Sequence, residues 1–214
     1  MSDWKSSPVF ARIFCSYMRR LAITGGIGSG KTQSALYLRS LGLIVIDTDE
    51  IAKQLTEPGG ESIGEITLKF GKAYIDSAGG LNRFRMSNLV FSEPEARLRL
   101  EGILHPRIFL IWNKQLDQVA DAGASIGFVV IPLLFEKGYV STFERVICVA
   151  CSKSSTQSRL RVRGWDQQHI DGRLKSQIAV SEKMARSDHV VWTEGSIQST
   201  CEQWDKLLQK SLRV

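Results

Sequence analysis

Short apolar runs alternate along this chain with segments whose apolar residues recur every three to four positions. The runs at 21–24, 43–46, 126–131, 145–150 and 189–192 have the length and near-continuous apolarity of strands buried on both faces. Helical spacing fills the intervals, at 33–38, 51–55, 62–70, 83–91, 95–119 and, last, about 197–212. Such alternation predicts a parallel sheet with right-handed crossovers. Between the second run and Ile126 lie about eighty residues, far more than a crossover needs, and they read mostly as helix. An inserted helical subdomain is therefore expected. Gly42 follows the first helix as its C-cap. Turns at Glu57-Pro58-Gly59-Gly60 and Ser77-Ala78-Gly79-Gly80 punctuate the insertion. Pro106 is expected to break or kink the helix over 95–119.

Between the first run and the first helix stands Gly25-Gly26-Ile27-Gly28-Ser29-Gly30-Lys31-Thr32. It fits G-x-x-x-x-G-K-[ST], the phosphate-binding P-loop, in the strand–loop–helix context that motif requires. Glycines let backbone N–H groups turn inward around phosphate oxygens, and the helix N-terminus adds partial positive charge at the same point. Residues 26–33 (Gly26, Ile27, Gly28, Ser29, Gly30, Lys31, Thr32 and Gln33) are thus the candidate nucleotide-binding segment. Lys31 can reach the β- and γ-phosphates, and the Thr32 hydroxyl can sit on Mg²⁺. The second run ends Ile46-Asp47-Thr48-Asp49, where ligands of open α/β sheets bind. One of these carboxylates could accept the proton of an attacking hydroxyl, and either could hold Mg²⁺ through water. Alternatively Asp47 caps the next helix and Asp49 sits in its first turn. For Asp49 the functional reading prevails; for Asp47 both stay open.

Composition narrows the class only slightly. The 214 residues are 43% apolar and 23% charged, with a net charge of +6, ordinary for a globular domain. The basic residues are spread out, so the charge fits an anionic small molecule as well as nucleic acid. No run approaches the roughly 18–20 apolar residues of a membrane span. Cys148 and Cys151 form C-x-x-C inside an apolar strand run. Positions three apart face opposite sides of a strand, so these read as packed, reduced thiols. Residues 1–20 look like an N-terminal extension, with Met18 a possible true start.

Arg159 and Arg163, four apart, could form one face of a lid helix closing on a transferring phosphoryl group. His105-Pro106 lies in the insertion, where a lone histidine is more often structural. Pro132-Leu133-Leu134-Phe135-Glu136 follows the third strand, but no Asp directly ends that run, which argues against the large ATPase motors. Asn113-Lys114-Gln115-Leu116 lacks the final carboxylate of a guanine-reading motif.

Together these segments, in order, resemble the dephospho-CoA kinase family. The family's opening LTGGIGSGKS is similar to Ala22–Thr32, and its IDAD-x-IA to Ile46-Asp47-Thr48-Asp49-Glu50-Ile51-Ala52. Its G-x-L-x-R matches Gly79-Gly80-Leu81-Asn82-Arg83, and its L-HP-x-I matches Leu104-His105-Pro106-Arg107-Ile108. Its PLL-x-E has the glutamate one place later, at Glu136. Its lid R-L-x-x-R matches Arg159-Leu160-Arg161-Val162-Arg163. Its R-x-x-x-Q and K…D are echoed by Arg173, Gln177, Lys183 and Asp188.

The resemblance implies a P-loop NTPase fold: a parallel five-stranded sheet flanked by helices, an inserted helical substrate-binding subdomain and a helical lid. The expected division is an extension at 1–20, a core at 21–56 and 120–214, a CoA-binding insertion at 57–119 and a lid at 152–182. It implies ATP-dependent phosphorylation of the ribose 3′-hydroxyl of dephospho-CoA, with Mg²⁺, in the cytoplasm. The partners would be the two small-molecule substrates, with no nucleic acid or membrane, and the protein a monomer or weak homo-oligomer. Asp49 would be the base; Lys31, Arg163 and Arg159 the phosphate-stabilising cations; Arg83, His105 and Pro132 would line the acceptor site with Asp49. Three segments depart from the family. Trp192-Thr193-Glu194-Gly195 replaces a D/N-N-x-G that often borders the adenine, the lid is short around Gly164-Trp165-Asp166, and Thr32-Gln33 replaces Ser-Thr. Another small-metabolite or nucleoside monophosphate kinase, or a non-catalytic nucleotide switch or nucleic-acid binder, are the competing readings.

Overall fold

A computed structural model describes residues 18–175 and 177–212. The expected extension lies outside the described residues up to residue 17, Cys15 included, as does the Arg173 side chain. Five parallel strands form one sheet: β1 (Arg19–Thr24), β2 (Ile44–Asp47), β3 (Ile126–Val130), β4 (Arg145–Ala150) and β5 (His189–Trp192), in spatial order β2-β3-β1-β4-β5. β1 begins two residues before the apolar run. Arg19 and Arg20, which the hydrophobic pattern assigns to the extension, belong to this strand. Backbone pairing does not require apolar side chains: the Arg19 N–H donates to the Ser125 carbonyl at 3.0 Å. The side chains then find carboxylates at the strand's open end, Glu144 at 2.9 Å and Asp117 at 2.6 Å.

The helices are α1 (Lys31–Ser40), α2 (Thr48–Thr56), α3 (Ile63–Phe70), α4 (Arg83–Ser92), α5 (Pro94–Asp121), α6 (Lys153–Val162), α7 (Gln167–Lys175), α8 (Val180–Ala185) and α9 (Ile197–Leu207). Strand alternation divides the core between two faces. Leu21 and Ile23 join Phe128, Ile147, Val149 and Trp204 on the face covered by α1 and α9. Ala22, Val129, Ile131 and Val146 pack on the other with Trp112 and Leu116 of α5. A third cluster, Ile66, Leu81, Met86 and Ile103, is the insertion's own small core.

Pro106 does not break α5, which runs through it. A proline inside a helix removes one N–H and crowds the preceding turn. Here the residue four back is Gly102, and the Arg107 guanidinium donates to the Ile103 carbonyl at 2.8 Å while pairing with Glu65 of α3 at 2.8 Å. Packing on both halves, in the insertion core and under the sheet, holds the helix together across the missing bond. At roughly 42 Å by the helical rise, α5 is therefore shared by insertion and core rather than ending with the former.

Trp204 is fully buried, edge-on to Phe128 at 6.3 Å, and among the described residues its indole N–H has no hydrogen-bond partner. The ring should therefore matter far more than its polar atom. Trp204→Ala is expected to cost about 3–5 kcal/mol, lowering Tm by on the order of 10 °C. Trp204→Phe, which drops the orphan donor and keeps an aromatic ring, should cost less than about 1.5 kcal/mol. Thermal melts of the pair test this; equal losses would assign the contact to the N–H instead.

Candidate active site

The loop at residues 25–30 leaves the carboxyl end of β1, the sheet's central strand, and its geometry depends on glycine. A Cβ on Gly25 would lie 2.0 Å from the Val149 carbonyl oxygen. Gly30, the N-cap of α1, has φ 98°, a left-handed conformation that side chains resist. No side chain caps α1 and no acid occupies its first turn, so its dipole is left unneutralised and faces outward. Lys31 adds a second positive charge there. Its ammonium donates to the Gly25 and Gly26 carbonyls at 3.0 and 2.8 Å. Burial pulls its pKa down to about 8; Asp49 opposes that shift, and the neighbouring ammonium of Lys183 adds to it.

The loop is braced from behind. The Thr193 hydroxyl donates to the Ser29 carbonyl at 2.7 Å. Arg159 reaches over from α6 to donate to the Gly28 carbonyl at 3.3 Å and to the Thr193 hydroxyl at 2.9 Å. Glu194 accepts from the Ser152 N–H at 2.9 Å and from the Ser155 hydroxyl, and these bonds hold its carboxyl below the usual range. The segment that departs from the family pattern thus ties the end of β5 to both the P-loop and the start of α6.

A cavity of about 490 Å³ opens in front of the loop. Residues 27–33 line it together with Asp49, Pro132, Leu133, Arg163, Trp165 and Gln177. Lys31, Thr32, Asp49 and Arg163 are therefore brought together as expected from sequence. Arg159 is not among these lining residues; its guanidinium is engaged by Gly28 and Thr193 instead. Gly26 contributes its carbonyl to Lys31 rather than a wall to this cavity. Asp47 serves the helix: its carboxylate accepts the Asp49 N–H at 2.9 Å as the N-cap of α2, and burial raises its pKa.

A second cavity, about 320 Å³ and mostly apolar, lies between α2, α5 and the end of β3. His105 and Pro132 line it, as does Asp49. Burial and the adjacent Lys137 lower the His105 pKa, against an opposing pull from Glu101. Lys137 itself pairs with Glu101 at 2.7 Å. Arg83 lies elsewhere: it is exposed at the start of α4 and donates to the Thr56 hydroxyl at 3.0 Å. Sequence reasoning missed Leu100, Leu104, Ile108 and Trp112, which line this cavity from α5. Their spacing of four was visible, but an apolar stripe on a helix ordinarily means core. Asp49, Pro132 and Leu133 border both cavities, so the two spaces meet at one wall.

In α7, a Cβ added at Gly172 would come within 2.3 Å of the Phe91 ring of α4. Cys148 and Cys151 are buried free thiols, and burial pushes Cys148 up to about 11. Among the described residues, no helix is long and apolar enough to cross a membrane.

Comparison with known proteins agrees with this geometry. A family model described as dephospho-CoA kinase matches residues 19–199. The dephospho-CoA kinase of Nitrosospira multiformis is 41% identical, over 91% of this chain and 96% of its own length. That of Syntrophotalea carbinolica is 36% identical over 86% of this chain and 87% of its own. A crystal structure from Thermus thermophilus superposes with a TM-score of 0.74 at 30% identity, covering 91% of this chain and 98% of that one. The Campylobacter jejuni dephospho-CoA kinase shares the fold with a TM-score of 0.63 at 23% identity. With the family model spanning most of its length and relatives above 30% identity across nearly all of it, the chain belongs to the dephospho-CoA kinase family.

Proposed function

We propose that this enzyme transfers the γ-phosphoryl group of ATP to the ribose 3′-hydroxyl of dephospho-CoA, giving coenzyme A and ADP. The observation that carries this reading is the shared wall: a polar, cationic cavity and an apolar one meet at Asp49, Pro132 and Leu133. The triphosphate belongs against the loop, where the N-terminus of α1 and Lys31 concentrate positive charge. The acceptor belongs in the apolar cavity beneath the insertion at 57–119, with His105 and Pro132 against it. Its hydroxyl then meets the γ-phosphorus beside Asp49, whose carboxylate takes the proton as the new P–O bond forms and the bond to ADP breaks.

Arg163 supplies charge to the transferring group from the lid side, at 152–182. Arg159 has a different role in this reading: it positions the loop through Gly28 and Thr193. Thr32 presents a hydroxyl oxygen to the donor cavity, the kind of donor a hard divalent cation prefers. Thr32 would hold Mg²⁺, which when bound neutralises charge on the β- and γ-phosphates.

Three measurements test the assignment. ADP release should be stimulated by dephospho-CoA but not by nucleoside monophosphates or shikimate; no stimulation by dephospho-CoA would refute the reading. Asp49→Asn should keep ATP affinity and lose at least ~10² in kcat, the low end for a general base. Near-normal turnover would remove Asp49 from that role. The two arginines should separate: Arg163→Ala is expected to lower kcat about 10²-fold with little change in Tm, whereas Arg159→Ala should raise the KM for ATP and lower Tm. Identical kinetic signatures would mean that both contact the phosphates.

A further inference from the structure

Lys183 of α8 is fully buried, at 0% exposure, and touches the site above only through its charge beside Lys31. Its ammonium donates to the Pro132 carbonyl at 2.7 Å and pairs with the Glu136 carboxylate at 2.8 Å. The same Glu136 oxygen accepts the Ile178 N–H at 3.0 Å. Among the described residues, the other Glu136 carboxylate oxygen is buried without a partner.

Stability gives little reason for this arrangement. Removing two charges from water costs several kcal/mol per ion, and well-packed apolar residues in their place are often as stable or more so. What the pair touches is more informative. Pro132 is part of the wall shared by the two cavities, and a proline has only its carbonyl to offer as a backbone anchor. That carbonyl takes Lys183 and, at 3.3 Å, the hydroxyl of Thr24, the residue just before the P-loop. Ile178 belongs to the segment between α7 and α8, where the lid returns to the core. One ammonium and one carboxylate therefore join the wall and the lid's return segment, on an oxygen that also anchors the end of β1.

We infer that Lys183 and Glu136 are positioning residues that hold the Pro132–Leu133 wall where the acceptor hydroxyl meets the phosphoryl group, and tie that wall to the base of the lid. The inference rests on the transfer reaction proposed above. Either residue changed alone leaves its partner as an uncompensated buried charge, so single variants confound position with folding. The double variant Lys183→Met/Glu136→Gln removes both charges and keeps an amide oxygen for the Ile178 N–H.

The test compares Tm, kcat and the KM values of wild type, K183M, E136Q and K183M/E136Q, with dephospho-CoA as acceptor. The single variants should melt at clearly lower temperature. The double variant should recover most of that loss yet keep kcat at least tenfold below wild type, with the KM for ATP within threefold. Recovery of kcat together with Tm would reduce the pair to a structural role and overturn the inference. So would a double variant that stays as unstable as the singles, or one whose defect is confined to the KM for ATP. Wild-type stimulation by dephospho-CoA is the control: its absence sinks the proposed reaction, whereas a fully active double variant beside a stimulated wild type sinks only the positioning role.

Discussion

The active site depends on a helix N-terminus that the chain leaves bare. α2, α6 and α9 each begin with a side chain that accepts a hydrogen bond from the first turn: Asp47, Ser152 and Ser196. α1 begins with Gly30, no acid, and a lysine. Its orphan N–H groups and dipole are unfavourable unless an anion meets them. A loop in that condition must be held open, and it is held by its carbonyls. Those of Gly25 and Gly26 take Lys31, that of Gly28 takes Arg159, and that of Ser29 takes Thr193. Satisfying the carbonyl side from elsewhere in the fold frees the amide side for phosphate oxygens. β1 can carry this loop because it is the central strand, with β3 and β4 fixing it on both sides.

The same economy appears at the wall between the cavities. Asp49 of α2 and Pro132 and Leu133 of the turn after β3 border both cavities. Asp49 can serve both because Asp47, not Asp49, meets the capping demand of α2. The apolar side of the wall owes its shape to α5, whose first half closes the insertion core and whose second half packs under the sheet. Had Pro106 ended that helix, Leu100 and Trp112 would not share a rigid axis, and the cavity they line would lose its back.

Much of the fold was legible from hydrophobic spacing. The five strands, the inserted helices and the loop were visible because each is a local pattern: apolar runs, helical periodicity, fixed glycine offsets. What escaped was set by distant partners. Arg19 and Arg20 entered β1 through backbone pairing and carboxylates on other elements. Pro106 was tolerated because both halves of α5 are packed, one in the insertion's core and one under the sheet. Arg83 matched a motif but points to Thr56. Thr193 registered only as a departure from the family pattern, and its hold on Ser29 needs the tertiary fold to be seen. Lys183 and Glu136 are far apart in sequence, and no spacing rule links them.

Arg159 and Arg163 show how a helix end can send one sequence pattern to two places. Residues four apart share a face only while the helix lasts. α6 ends at Val162, and Arg163 is its C-cap, followed by Gly164 at φ 81°. The Gly164 and Trp165 N–H groups fold back onto the Arg161 and Leu160 carbonyls at 2.9 and 3.1 Å, closing the last turn. Arg159 is therefore still on the helix, directed at the loop and Thr193, while Arg163 has left it and borders the donor cavity.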